Sequence, residues 1–239
     1  MITARDAVDW TAVGDVTVQL LADYLRVDTT NPPGNEQAGV DWLAAHLDEA
    51  GIPWEAVEHA PGRSSLIARV ASGSDAPALC LMHHIDIAGY ETDQWPEESG
   101  PLSGAIIDGE LWGRGALDMK GMGALELMTL VLLKKHQVPL ERDVVLLAVA
   151  DEEVNNTGAM DLVKLWDDKI RCGTMLNEGG FGVTDALFDG QAVHAISSAE
   201  KGVIWFQMKA EGRAGHGSTP YPGEAPDRLL EAMAAVEKK

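Results

Sequence analysis

The sequence predicts an α/β fold: a mainly parallel layered sheet with flanking helices, followed by the beginning of a smaller α+β domain. Three observations predict it. Compact apolar runs at Ala78–Met82, Asp143–Ala150 and Gly173–Leu176 alternate with segments of helical apolar spacing, the order expected of strand–helix–strand units. The first two runs lack polar alternation, as strands buried on both faces do. Each run also leads directly into histidine or acidic residues, which in an open α/β sheet places those residues along the carboxyl-end rim.

Taken in order, Val16 to Arg26 predicts a helix through the stripe Val18, Leu20, Leu21, Tyr24 and Leu25. Thr29-Thr30-Asn31-Pro32-Pro33-Gly34 ends it in a turn. Gln37 to Ala50 is a second helix, closed by Gly51 and Pro53. Trp54–Val57 and Ser65–Val70 read as short strands, and Ala71 to Pro77 as a turn-rich link. A long irregular stretch runs from Gly89 to Gly109, and loops of that length are often functional. Leu111 to Gly121, Leu-Trp-Gly-Arg-Gly-Ala-Leu-Asp-Met-Lys-Gly, then leads into a helix from Met122 to Leu133. Lys134, Lys135 and His136 complement the negative end of that helix. Thr157 is the expected cap of a helix reaching Trp166. Ala192–Ile196 and Val203–Lys209 read as strands, Ala210 to Gly223 as a Gly/Pro-rich turn, and Glu224 to Lys238 as a final helix. The change of pattern places a domain boundary near Ala199 to Gly202, giving units 1–199 and 200–239. The second is too short for an independent core.

The chain has 239 residues, 46% of them apolar, and a net charge of −20. That is enough apolar material for a core, so a disordered chain is not expected. The acidity argues against nucleic acid and anionic membranes as partners. Cys80 and Cys172 fit no zinc spacing; Cys80 reads as a core residue, with a disulfide left open. Met1 to Trp10 shows no basic-then-apolar leader pattern, and no apolar run reaches spanning length. A cytoplasmic location is the expectation that follows.

The chemistry lies at the strand ends. The first run delivers His84 and Asp86, the second Asp151, Glu152 and Glu153, the third Glu178; Asp118 stands at a loop-to-helix junction. Each alone has a plain structural reading. Asp118 can be a helix N-cap, His84 a structural histidine, and the acidic triplet a solvated loop. Together they form a candidate ligand set on one rim. Asp118, Glu153 and Glu178 bring three negative charges; with a shared hydroxide these balance two divalent cations, which can activate water and polarise a carbonyl. Imidazole and carboxylate without thiolate suit Zn2+, and also Co2+ or Mn2+. Glu152, beside a ligating glutamate, is the candidate general base.

His84-Ile85-Asp86, Gly113-Arg114-Gly115-Ala116-Leu117-Asp118-Met119-Lys120-Gly121, Asp151-Glu152-Glu153 and Asn177-Glu178-Gly179-Gly180 occur in this order. So do the early turn Asn31-Pro32-Pro33-Gly34-Asn35-Glu36 and the later Gly215-His216-Gly217-Ser218. From about Val16 onward the chain resembles the di-zinc peptidase family of aminoacylase, acetylornithine deacetylase, succinyl-diaminopimelate desuccinylase and glutamate carboxypeptidase. The resemblance implies a zinc-exopeptidase-like catalytic domain followed by a lid or dimerisation domain. It implies that Asp118 bridges two zinc ions, that His84 and Glu178 complete one and that Glu153 binds the other. Glu152 is then the general base, Asp86 orients His84, and His216 reaches the active site of a partner chain in a homodimer. The implied reaction is hydrolysis of an amide in an N-acyl amino acid or small peptide by metal-bound water. Glu178 before Gly-Gly, with Glu200-Lys201-Gly202, looks more like the aminoacylase and carboxypeptidase-S branches than the acetylornithine branch. His83 departs from the family pattern, which has glycine there. The family also continues past the equivalent of Lys239 to a last histidine ligand, so the chain reads as an N-terminal portion. The alternative reading is a non-catalytic metal-binding or dimerisation fragment of the same fold.

Overall fold

The computed structural model describes residues 8–165, 169–197, 202, 206–219 and 221–237. It divides into two compact units, 1–179 and 180–239. The sequence boundary near 199–202 thus lies about twenty residues beyond the division of the compact units.

The first unit opens with α1 (Trp10–Leu25), whose N-cap Asp9 accepts a hydrogen bond from the Ala12 N–H at 3.1 Å. That cap satisfies an otherwise orphaned donor, and it starts the helix ahead of the apolar stripe that begins near Val16. There follow β1 (Thr30–Asn31), α2 (Glu36–Glu49), β2 (Trp54–Ala60), β3 (Arg63–Val70), β4 (Ala78–His84) and β5 (Ile87–Ala88). The irregular stretch holds a short 3₁₀ turn at Thr92–Gln94 and the first strand of the hairpin β6 (Ala105–Ile107) and β7 (Glu110–Trp112). Then come α3 (Lys120–Lys135), β8 (Val144–Val149), α4 (Thr157–Val163) and β9 (Cys172–Leu176).

The main sheet has the order β2-β3-β8-β4-β9. It is mixed: β2, β3 and β8 pair antiparallel, while β8, β4 and β9 pair parallel. The parallel half consists of the three apolar runs. Every residue of β8 is buried. Val144, Leu146 and Ala148 pack with Tyr24, Leu43, Leu47, Leu127 and Leu130 on the face covered by α1, α2 and α3. Val145, Leu147 and Val149 pack with Cys80, Leu162 and Ile170 on the opposite face, where α4 lies. Two-sided burial is why this strand reads as an uninterrupted apolar run. β9 is an edge strand, exposed along much of its length. A disulfide between Cys80 and Cys172, with Cα atoms 5.9 Å apart, ties it to β4. This closes the alternative that the sequence left open.

One capping expectation is corrected, and one plain structural reading does not hold. Asn156, not Thr157, occupies the N-cap of α4, in a left-handed conformation at φ 58°. The Thr157 hydroxyl instead donates to the Asp151 carboxylate at 2.5 Å. Asp118 is not the cap of α3; Met119 holds that position without a side-chain cap bond, which leaves the Asp118 carboxylate available for other contacts.

The second unit contains the antiparallel pair β10 (Phe181–Thr184) and β11 (Ala192–Ala195), and the helix α5 (Ala225–Glu237). Of the strand expected at Val203–Lys209, residues 203–205 lie outside the described residues, and 206–209 are not in a strand. Among the described residues no helix is long and apolar enough to cross a membrane.

Candidate metal centre

The middle strand of the parallel half supplies the imidazole, and its neighbours supply carboxylates. β4 ends at His84, whose Nε2 lies 2.9 Å from Asp118 Oδ1 and 3.9 Å from both Glu152 Oε2 and Glu178 Oε2. His84, Asp118 and Glu178 each offer a ligand atom, all within 4.8 Å of one another. Residues from four separate stretches of chain thus converge at one strand end. Glu178 follows β9, Glu152 follows β8, and Asp118 precedes α3.

The orientation of His84 can be derived. Its Nδ1 lies 2.9 Å from the Asp86 carbonyl oxygen, which can only accept. Nδ1 therefore carries a proton; Nε2, 2.9 Å from the accepting Asp118 carboxylate, donates to it in the metal-free ring, and loss of that proton leaves the Nδ1–H form with its lone pair toward the carboxylates. That is the tautomer a metal ligand needs. The Asp86 carboxylate is farther from Nδ1, at 3.6 Å, so the carbonyl makes the orienting contact. Burial disfavours charge on His84, but hydrogen bonding to Asp86 and Asp118 and the charge of Glu178 outweigh it and push its pKa up to about 10. Burial raises the Glu153 carboxyl, and Asp118 adds to this. Burial likewise raises Glu178, with Glu152 and Asp118 adding to it against the pull of His84. A crowd of carboxylates around one imidazole nitrogen, once its proton is displaced, is a donor set that fits a hard or borderline divalent cation.

Asp86, fully buried, also braces the backbone beyond β8. Its carboxylate accepts from the Glu152 and Glu153 backbone N–H groups, each at 3.1 Å, and from Asn31 Nδ2 at 2.8 Å. Burial raises its pKa, but the bonds from His84, Asn31 and the two N–H groups more than compensate and hold it below the usual range. One carboxylate therefore fixes the backbone from which both glutamates project. Asn31 reaches it because β1 and β5 pair in parallel, Thr30 with Ile87 and Asn31 with Ala88.

Three residues of this support are absent from the sequence-derived site: Asn31, Glu36 and Arg63. Asn31 Nδ2 also donates to Asp151 Oδ1 at 3.0 Å. Arg63 donates to Glu36 Oε1 and Oε2, at 2.5 and 2.8 Å, and to Asp151 Oδ1 at 2.8 Å. Gly34 leaves room for it; a Cβ there would strike the guanidinium. Asp151 adopts φ 66°, a conformation that costs free energy for a non-glycine residue unless its surroundings impose it. The Arg63, Asn31 and Thr157 contacts do so. Lys120, also fully buried, donates to the carbonyls of Tyr24 and Val27 at 3.1 and 2.7 Å. Burial pushes its pKa down to about 7, against the pull of Asp28 and Asp86.

Asp118 also lines a pocket of about 380 Å³ with Trp95, Trp112, Arg114, Leu117 and Glu153. The Arg114 guanidinium lies 6.0 Å from the Trp95 ring centroid. A larger apolar pocket of about 640 Å³ is lined by Val8, Trp10, Leu132, Leu133, His136 and Val138; among the described residues no carboxylate lines it, and it shares no lining residue with the candidate site. His216 belongs to the second unit, where its Nδ1 accepts from the Ser218 N–H at 3.2 Å. In the neutral ring this places the proton on Nε2.

Residues 80–236 match Peptidase family M20/M25/M40. A probable succinyl-diaminopimelate desuccinylase of Staphylococcus aureus (strain MRSA252) is 34% identical over 226 residues, covering 93% of this chain and 51% of that protein. Aminoacylase-1 of Sus scrofa is 27% identical over 226 residues, covering 92% of this chain and 53% of its own length. The M20 family metallo-carboxypeptidase Sso-CP2 from Sulfolobus solfataricus superposes with a TM-score of 0.59 at 19% identity, over 68% of this chain and 37% of that one. Human carnosine dipeptidase 1 superposes at 0.57 and 20% identity, over 69% and 38%. These two likenesses concern the fold. The chain spans about half the length of the curated relatives it matches.

Proposed function

The chain belongs to peptidase family M20/M25/M40, and on that premise we propose that it carries the metal-binding half of a zinc-dependent hydrolase acting on the amide bond of N-acyl amino acids or small peptides. The observation that carries the proposal is the convergence of His84 Nε2, Asp118 and Glu178 within 4.8 Å, with Glu152 beside them at 3.9 Å from Nε2. His84 and Glu178 would hold one ion and Glu153 a second, with Asp118 shared between them. Asp118 touches His84 on one side and shares a pocket wall with Glu153 on the other, which supports the sharing. When bound, such ions polarise the scissile carbonyl and acidify water; Co2+ and Mn2+ suit the same donors.

The chain's own residues supply the proton transfers. The Glu152 carboxylate takes a proton from the attacking water and delivers it to the leaving nitrogen as the carbon–nitrogen bond breaks, releasing a carboxylic acid and an amine. Asp86 holds Glu152 and Glu153 in place through their N–H groups. The pocket beside Asp118 would receive one arm of the substrate against Trp95 and Trp112. His216, with its Nε2 proton free to donate, would steady the carbonyl oxygen, from a partner chain in a homodimer. Residues 1–199 would form the catalytic domain and 200–239 the start of the lid.

The substitution Glu152→Gln separates the roles. It is expected to lower hydrolysis of an N-acyl amino acid by about 10²-fold or more while zinc content stays unchanged. Full activity in that variant would refute the assignment of the base. Equal zinc content with no activity in the parent enzyme would favour the second reading, a non-catalytic metal-binding module.

A further inference from the structure

β4 ends in two consecutive histidines, and consecutive strand residues face opposite sides of a sheet. His84 faces the carboxylates. His83 faces α3, where its Nδ1 lies 2.8 Å from Glu126 Oε2. Both side chains are buried. The imidazole lies against the helix backbone at Gly123, where a Cβ would come within 2.7 Å of ring atoms Cδ2 and Nε2. Tyr24 closes the other side with an edge-to-face contact at 6.3 Å.

We infer that the His83–Glu126 hydrogen bond, seated on Gly123, is a positioning strut that fixes where Asp118 stands relative to His84; the inference rests on the metal-centre reading above. The path is short. His83 is covalently next to His84. Glu126 lies on the buried face of α3, six residues from its first residue, Lys120, and Asp118 is two residues before that. The loop is bonded to the helix start through Lys120 N–H to the Gly115 carbonyl at 2.8 Å and Gly123 N–H to the Met119 carbonyl at 3.1 Å. If α3 slid along β4, Asp118 would slide with it. Leu127 and Leu130 also pack on the sheet, but dispersion contacts tolerate small shifts, whereas a hydrogen bond weakens steeply with distance and angle.

Stability does not explain the pair. His83 Nε2, Glu126 Oε1 and the Tyr24 hydroxyl are buried and find no partner among protein groups. A partly satisfied polar cluster is costlier than an apolar one of equal volume. The pair therefore contributes direction rather than stability.

The test uses the full chain, Co2+ alone as the probe, and three variants. The readouts are the Co2+ dissociation constant, the visible ligand-field spectrum and the melting temperature. Glu126→Leu is expected to weaken Co2+ binding about tenfold or more and to alter the spectrum. Glu126→Gln, whose amide can still bond His83, is expected to restore both. The double variant H83M/E126M is expected to melt no lower than the parent and still bind weakly; it decides the matter if Glu126→Leu does not fold. Parent-like binding in Glu126→Leu or the double variant would overturn the strut, as would an equal loss in Glu126→Gln and Glu126→Leu. A parent chain that takes up no Co2+ would overturn the metal reading itself, a separate outcome.

Discussion

At the scale of single residues, the candidate site rests on side chains that lie behind its ligand candidates. Arg63 is the hub: it neutralises Glu36, whose side chain is 0% exposed, and Asp151, at 5%. Arg63→Met would leave two buried carboxylates facing each other. It is expected to destabilise the chain by about 3 kcal/mol, read as a lower urea midpoint. Asp151 also gives the chain an acid limb. Burial raises its pKa, but Thr157, Asn31 and Arg63 more than offset this and hold it down to about 2, against an ordinary 3.8. Its folded pKa is depressed, so its stabilisation is full above 3.8 and is lost as pH falls toward about 2. Urea unfolding across that window is expected to show stability falling with pH in the parent and a flatter profile in Asp151→Asn. The sequence made His84, Asp118 and Glu178 legible because each stands at the end of an apolar run or a glycine-rich turn. Arg63 carried no such mark: its partners lie 27 and 88 residues away, and nothing local distinguishes it from a surface arginine.

At the scale of elements, close packing sets the ligand geometry. Gly121 lies in the first turn of α3, and a Cβ there would collide with the Ala116 carbonyl, a backbone atom that cannot swing aside. Gly121→Ala is expected to cost about 1–3 kcal/mol and to weaken zinc binding by displacing the loop that carries Asp118, measured by thermal melting and zinc titration. Gly14 in α1 is the control. Beyond its own helix backbone and chain neighbours, no atom of the described residues lies within 4 Å of its Cβ position, so Gly14→Ala is expected to stabilise by about 0.5–1 kcal/mol with zinc binding unchanged. The parallel strands were legible because burial on both faces removes polar residues from them. Less legible were the antiparallel half of the sheet and the strand β10. Pairing direction leaves no local trace in sequence, and β10 is exposed throughout. At the Asp118 junction Met119 takes the cap position, and the Asp118 carboxylate faces His84.

At the scale of the molecule, a chain of net charge −20 gathers Asp118, Glu152 and Glu178 around one imidazole, with Glu153 close enough to feel their charge. In the absence of a cation this is a concentration of like charge, which adds to burial in raising the pKa values of Glu153 and Glu178. Cation binding to the folded state alone would relieve it and stabilise the chain by mass action. Native mass spectrometry of the full chain after zinc loading, for the parent and Asp118→Asn, tests the centre most directly, since it counts metals and subunits together. The proposed function expects two zinc ions per parent chain and fewer in the variant, because Asp118 is shared between both positions. A parent chain that binds no zinc, or an Asp118→Asn chain that binds as many ions as the parent, would contradict it.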